Sequence, residues 1–152
     1  MKLSQTDRER IEGILRDLKE DAAVLRMKRF IQHGRVSTYE HCERVAQLSY
    51  WLNRKLHLHA DERALLRGAM LHDFFLYDWH EIDDSHKWHG FQHAGVARKN
   101  AVKHFGVGKR EQQVIQSHMW PLNLTQLPRC REAWIVCLAD KCCSLRETLF
   151  ER

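Results

Sequence analysis

Proline and glycine are scarce in this chain of 152 residues, which contains only two prolines and seven glycines. A fold built from many short strands would need more of both, because tight turns depend on them. Val, Ile and Thr, which favour strands, are also sparse. These shortages argue against a β-sandwich or β-barrel, and they predict an all-α fold.

Long apolar runs are also missing. No stretch approaches the roughly 18 consecutive apolar residues that a membrane-spanning helix requires. The opening residues, MKLSQTDRER, lack the apolar core of a secretion signal. We therefore expect a cytoplasmic protein that has no membrane partner.

Paired cysteine motifs are absent, although five cysteines occur. The count is odd and no CxxC pair is present, so the sequence favours free, reduced thiols. Cys142 and Cys143 are adjacent on a predicted helix. A zinc site built from thiolates is not favoured.

The net charge of +5 is modest, and the Lys and Arg residues are spread along the chain. An excess of Lys and Arg over Asp and Glu favours acidic partners such as phosphate esters. No basic helix with interleaved aromatic residues stands out, so a nucleic-acid partner is not favoured. The net charge fits an anionic partner but does not select one.

Helical spacing and end signals predict helices over most of the chain. Gly34 is expected to end the second helix. Ser37 and Glu40 in STYE are expected to form a capping box at the start of the third helix. Pro128 suits the first turn of the last helix. The predicted helices cover 5–20, 22–33, a segment from 37, 61–76, 91–105, 109–119 and 128–149. We predict one compact helical-bundle domain over 1–152.

Two helices have predicted inward faces that carry an ionisable residue. In the third helix, His41 shares a face with Val45 and Leu48 at offsets of four and seven. In the last helix, Asp140 lies beside a predicted apolar stripe. That stripe consists of Ile135, Leu138, Ala139, Cys142 and Leu145.

The stretch GAMLHDFFLYDW places His72 and Asp73 side by side among large apolar residues. A buried carboxylate costs several kcal/mol unless something compensates its charge. Neighbours in a helix do not share a face, so His72 and Asp73 cannot easily compensate each other. One divalent cation could take an atom from each, provided that the pair lies near a helix end.

Inward ionisable residues are predicted on several helices, and such convergence is how helical bundles build metal sites. The candidates are His41, His72, Asp73, His89 or His93, His118 and Asp140. Nitrogen and oxygen ligands without thiolate suit Mn, Fe, Co, Ni or Zn.

The other histidines are interpreted as residues outside the metal site. His33, His57, His59 and His104 are interpreted as solvated or capping residues. Two more, His80 and His86, lie in the acidic, tryptophan-rich stretch DWHEIDDSHKWHG and could line a pocket.

This arrangement resembles the HD-domain superfamily of metal-dependent phosphohydrolases. His41 lies in YEHCERVAQLSYWL, His72 and Asp73 follow GAML, and Asp140 lies in CLADK. The resemblance covers residues 36–148, and 1–34 are expected to form helices packed on that domain. It implies an all-α fold and a divalent transition metal.

The order of the remaining histidines resembles a two-metal subset of that superfamily, H…HD…H…H…D. The resemblance implies that Asp73 bridges two ions, of which His41, His72 and Asp140 complete one site. His93 or His89, together with His118, would complete the other. Met119 stands where some two-metal members carry a further histidine. One or two ions are therefore expected.

The resemblance further implies a phosphomonoesterase or phosphodiesterase that acts through a metal-activated water. The expected substrate is a nucleotide or another small phosphoester, with Asp73 in the catalytic centre and Lys141 and Arg35 as cations for the phosphate. The alternative is a non-catalytic metal- or nucleotide-binding signalling module with the same fold. Native metal, exact substrate and oligomeric state are not predicted.

Overall fold

The computed structural model describes residues 2–77 and 89–151, with side chains after the gap described from residue 92. His80 and His86, which were predicted to line a pocket, lie outside the described residues, as does the side chain of His89. None of the described helices is both long and apolar enough to cross a membrane.

The predicted all-α fold is confirmed, since the described part of the chain contains seven α-helices. They are α1 (Gln5–Glu20), α2 (Ala22–Arg26), α3 (Thr38–Lys55), α4 (Glu62–Leu71), α5 (His89–Phe105), α6 (Lys109–Ser117) and α7 (Arg131–Phe150). One buried cluster joins apolar side chains of α1 with those of α3, α4, α6 and α7. The core therefore packs the N-terminal helix against the later ones.

The predicted second helix, 22–33, is wrong in its C-terminal half. α2 ends at Arg26, and a 3₁₀ turn over Met27–Arg29 follows. Strand β1 (Ile31–His33) then pairs antiparallel with β2 (Val36–Ser37). Gly34 has a φ of 58°, in the left-handed region that glycine tolerates without steric cost. It serves the turn of this hairpin and does not end a helix.

The third helix begins as predicted. Ser37 accepts a hydrogen bond from the backbone N–H of Glu40 at 3.3 Å. The Glu40 carboxylate accepts one from the backbone N–H of Ser37 at 3.0 Å. This capping box sets the start of α3, and it places His41 and Val45 on the buried face.

The helix that carries the His–Asp pair is shorter than predicted. α4 ends at Leu71 and does not reach Leu76, whose φ of 63° is incompatible with a continuing helix. His72 is the C-terminal cap residue, and Asp73 follows it. The pair therefore lies at a helix end, where both side chains can turn toward one centre.

Gly68 allows α4 and α6 to approach closely. A Cβ atom at this position would lie 2.7 Å from Cγ1 of Val114 and 2.8 Å from its Cβ, closer than packed atoms tolerate. The two helices end at His72 and His118, which are the residues just after their last helical positions. The close approach therefore brings the two imidazoles together.

The last helix differs from its prediction at its start and in its buried face. It begins at Arg131 with Cys130 as the N-terminal cap residue, so Pro128 precedes it. Leu138 is 55% exposed and Leu145 is 63% exposed, so the predicted apolar stripe is wrong at these two positions, whereas Ile135 and Ala139 are buried as predicted. The buried face instead carries Val136, Ala139, Asp140, Cys143 and Glu147. Apolar residues occur on both faces of α7, so spacing alone could not select the inner one.

Candidate metal centre

Two buried histidines are held by the ends of the helices that carry them. The Nδ1 atom of His72 lies 2.7 Å from the carbonyl oxygen of Ala69. The Nδ1 atom of His118 lies 2.8 Å from the carbonyl oxygen of Ile115. Because a carbonyl can only accept, each Nδ1 carries a hydrogen and donates it. In the neutral ring, Nε2 then presents a lone pair to the centre.

His41 reaches the same centre from α3 and is fully buried. Its Nδ1 lies 2.8 Å from a carboxylate oxygen of Glu147, and its Nε2 lies 3.1 Å from Oδ1 of Asp140. The same oxygen of Asp140 lies 3.7 Å from Nε2 of His72. α7 thus contributes one carboxylate to the centre and a second one behind the ring of His41.

The two oxygens of Asp73 face two different groups of histidines. Oδ2 lies 3.3 Å from Nε2 of His72 and 3.9 Å from Nε2 of His41. Oδ1 lies 3.2 Å from Nε2 of His93 and 3.4 Å from Nε2 of His118. Asp73 therefore stands between the two groups.

His93 and His118 approach each other directly, with their Nε2 atoms 2.9 Å apart. His118 already donates through Nδ1, so its neutral ring has a lone pair at Nε2. At this distance Nε2 of His93 either carries a hydrogen and donates it to this lone pair, or shares a metal ion with His118. The structure thus places His93, one of the two alternatives for this position, in the centre.

Electrostatics in this centre depends on competition between burial and charge. Burial lowers the pKa of His41, but the carboxylates of Asp140 and Glu147 outweigh it and raise the value to about 10. Burial raises the pKa of Asp73 and Asp140, yet their histidine partners hold both pKa values well below the usual range. The carboxylates are therefore ionised at neutral pH.

The pKa values of His72 and His118 are shifted in opposite directions. Burial lowers the pKa of His72, but the charge of Asp73 and contacts with Asp140 raise it well above its ordinary value. For His118, burial dominates and the pKa is lowered despite Asp73. Without a metal, His41 and His72 are the cations that offset the carboxylates. A metal ion would replace their Nε2 protons.

The donor atoms fit a divalent transition metal. Three sets of three ligand atoms each lie within 4.8 Å of one another: His41, His72 and Asp73; His72, His118 and Asp140; and Asp73, His93 and His118. Nε2 of His72 and Oδ1 of Asp73 are buried, and neither has a hydrogen-bond partner of acceptable geometry. Leaving such atoms unsatisfied costs about 1–3 kcal/mol each or more, which coordination of a cation would remove.

The two predicted phosphate-binding cations lie outside this cluster. The ammonium of Lys141 donates to the carbonyl oxygen of His118 at 2.9 Å and to Sγ of Cys137 at 3.3 Å. Its charge is therefore next to the end of α6. Arg35 is exposed in the turn of the hairpin, and its backbone N–H donates to the carbonyl of Glu151 at 3.0 Å.

Two residues of β1 that were not among the predicted site residues contact the centre. The side-chain amide of Gln32 donates to Oδ2 of Asp73 at 2.6 Å. The ring of His33 packs edge-on against that of His41 at 5.5 Å between centroids, so its interpretation as a solvated or capping residue is wrong. Both were missed because their segment was predicted as a helix.

Glu147 was also missed. It is buried and follows Asp140 by seven residues, two helical turns, so the corrected inner face of α7 would have indicated it. Arg44 contacts Glu147 at 3.2 Å and Glu151 at 2.9 Å. The salt bridge and the contact with His41 together lower the pKa of Glu147 despite its burial. Glu147 is thus an ionised acceptor for the ring of His41.

Comparison with known proteins gives one result that bears on the family. None of the curated proteins and none of the solved structures compared with the chain matches it. A family model described as the HD domain matches residues 38–145. The match covers more than half of the chain and spans His41, the His72–Asp73 pair and Asp140. Proteins of this family are generally metal-dependent phosphohydrolases, although some are non-catalytic. The chain belongs to the HD domain family.

Proposed function

We propose that this protein is a metal-dependent phosphohydrolase that acts on a nucleotide or another small phosphoester. The observation that carries the proposal is the position of Asp73, whose two buried oxygens face separate groups of imidazole nitrogens. Such a carboxylate, with ring nitrogens on both sides, is arranged to hold one or two cations. Mn, Fe, Co, Ni and Zn suit this donor set.

His41, His72, Asp73 and Asp140 would hold the first ion. A divalent metal, when bound, supplies a Lewis acid that activates water and polarises a phosphoryl oxygen. The backbone carbonyl of Ala69 orients the ring of His72, and Glu147 orients that of His41. Both contacts aim Nε2 into the centre, so the ligands are positioned before any ion arrives.

Lys141 and Arg35 are proposed to contact the phosphate. The ammonium of Lys141 is held beside His118, so its charge favours an anion at this end of α6. Arg35 follows Gln32 and His33 in the hairpin that packs against the centre. Its exposed guanidinium can therefore pair with a phosphate that enters from solvent, in the bidentate geometry that Arg favours.

A non-catalytic metal- or nucleotide-binding module is the second candidate function. It is supported by the satisfied ion pairs of His41 with Asp140 and Glu147, which can form without a metal. A centre that is electrostatically balanced in the absence of metal could serve as a sensor of metal or nucleotide. In that case the protein would bind a phosphorylated ligand without hydrolysing it.

A screen of nucleotides and sugar phosphates with added Mn, Co, Ni, Fe and Mg tests the hydrolase proposal. We expect metal-dependent turnover of at least one phosphoester, and we expect His72→Ala and Asp140→Ala to abolish it. His104→Gln, which changes an exposed histidine outside the centre, is the matched control and should retain activity. Binding of a phosphorylated compound without turnover for any metal would favour the non-catalytic module.

A second ion, held by Asp73, His93 and His118, is a further prediction for this centre. The Nε2 atoms of both histidines lie within 3.4 Å of Oδ1 of Asp73, on the side opposite His41. Anomalous scattering from metal-loaded crystals should show two peaks about 3.5–4 Å apart. His93→Ala and His118→Ala should each lose one peak and most activity. One peak in the unmodified protein, with both variants fully active, would reduce the centre to a single ion.

A further inference from the structure

A cavity lined by cationic side chains lies beside α6, away from the candidate metal centre. A cavity of about 400 Å³ is lined by Arg98 of α5, Lys109 of α6 and Arg129 of the segment before α7. No carboxylate from the described part of the chain lines it. Three like charges around one cavity repel each other unless an anion enters.

The cavity and the metal centre lie on different sides of α6. Gln112, Gln113 and Gln116 line the cavity, whereas His118 points into the buried centre. Successive helical residues project about 100° apart, so Gln116 and His118 project about 200° apart. A ligand in the cavity would therefore not touch the metal ligands.

Arg98 is the clearest case of a cavity-lining cation that lacks a hydrogen-bond acceptor for one of its N–H groups. Its Nε atom is buried and has no hydrogen-bond partner. Among the described residues, no carboxylate forms a salt bridge with Arg98, Lys109 or Arg129. A buried guanidinium N–H without an acceptor is costly, because hydrogen bonds to charged groups are among the strong ones. The Nε atom itself is closed to solvent, so an oxyanion in the cavity would offset the charge of Arg98 through the part of the side chain that lines the cavity.

The polar wall of the cavity is held in position by its own hydrogen bonds. The amide of Gln113 donates to the carbonyl of Leu127 at 3.2 Å, which ties the segment before Arg129 to α6. The amide of Gln112 donates to the carbonyl of Val107 at 2.9 Å. These contacts fix the two sides of the cavity and leave the guanidinium groups of Arg98 and Arg129 for a ligand.

We propose that this cavity binds a small phosphate-bearing anion at a site separate from the metal centre. Its volume lies within the range of small-molecule sites, roughly 300–1,000 Å³. Two guanidinium groups match phosphate because their paired N–H donors can each contact two oxygens. The ammonium of Lys109 adds a point charge. The site is independent of whether the protein hydrolyses phosphoesters.

Titration of the zinc-loaded full chain with inorganic phosphate, followed by NMR, tests this site. Because phosphate would also bind at a metal centre, the signals followed are the backbone and side-chain amides of Gln112, Gln113 and Gln116. We expect saturable shifts, with the dissociation constant raised at least about tenfold in Arg98→Gln and Arg129→Gln, since each loses charge-assisted hydrogen bonds. Potassium chloride at equal ionic strength should not reproduce the shifts.

Lys103→Gln is the matched control, because it removes one charge from an exposed position of α5 outside the cavity. It should change the dissociation constant less than twofold. Shifts that do not saturate, or that are equal in all variants, would overturn the proposal. A single-stranded oligonucleotide of about 12 nucleotides is the second probe. Tighter, strongly salt-dependent binding of this strand through the same glutamines would assign the cavity to a nucleic-acid backbone and overturn the small-anion assignment.

Discussion

Replacing Asp73 by alanine is expected to remove bound metal and metal-dependent hydrolysis together. Asp73 lies within 3.4 Å of the Nε2 atoms of His72, His93 and His118, so its loss would affect every ion that the centre holds. The fall in metal affinity should exceed the roughly 10–100-fold that follows loss of a group supporting a ligand. Elemental analysis of protein purified without chelators, together with turnover of a phosphoester found in the screen, measures both effects.

Asp73→Asn and a folding control make this result interpretable. The asparagine keeps the size of the side chain and one carbonyl oxygen. The Asp73→Asn variant should therefore fold, but it should bind metal weakly. Thermal unfolding of both variants separates loss of the centre from loss of the fold. Unchanged metal content in folded Asp73→Ala would contradict the ligand assignment. Normal metal content with lost turnover would instead limit Asp73 to a role in substrate binding or catalysis.

Replacing Glu147 by glutamine is expected to weaken metal binding about 10–100-fold, although Glu147 is not a proposed ligand. Its carboxylate lies 2.8 Å from Nδ1 of His41, where it orients the ring and makes Nε2 a stronger donor. A neutral amide keeps the hydrogen bond but not the charge. Competition with a chelator of known affinity measures the change without reference to activity.

Glu151→Gln is the matched control for this prediction. Glu151 contacts the same Arg44, at 2.9 Å, but no contact with His41 is present. Its replacement should therefore alter metal affinity much less than replacement of Glu147. Equal losses in the two variants would attribute the effect to the salt bridge of Arg44 and not to the orientation of His41.

The pH dependence of metal binding gives an independent test of the same contact. In the metal-free protein, Asp140 and Glu147 raise the pKa of His41 from 6.5 to about 10 against the effect of burial. The metal competes with this proton, so affinity should increase continuously from pH 6.5 toward 10 in the unmodified protein. In Glu147→Gln the pKa of His41 should fall, so the increase should end at a lower pH. The loss of affinity should therefore be largest at the alkaline end.

Much of the fold was predictable from local sequence. The limits of α1 and the capping box at Ser37 and Glu40 depend on residues within a few positions of each other, and the structure has both. The same local signals misassigned 22–33, because Gly34 is equally suited to a helix end and to a hairpin turn. Pairing with β2 decided between them, and that pairing is a tertiary contact.

Five of the six proposed metal ligands were named from the sequence without an alternative, through their predicted inward positions and through the resemblance to the HD-domain superfamily. His93 and His89 were left as alternatives, and only the packing of α5 against α6 places His93 beside His118. The residues that support the ligands were not predictable in the same way. Gln32 approaches Asp73 across 41 positions of sequence, and Glu147 approaches His41 across 106.

The sequence by itself determined the helical class, the starts of α1 and α3, and the candidate ligands His41, His72, Asp73, His118 and Asp140. Helical periodicity and capping involve residues that are close in the chain, so both can be recognised in the sequence without a structure. The tertiary structure decided which face of α7 is buried, that His93 lies beside His118, and that Arg98 and Arg129 share a cavity. These features depend on contacts between helices far apart in sequence, which no local pattern encodes.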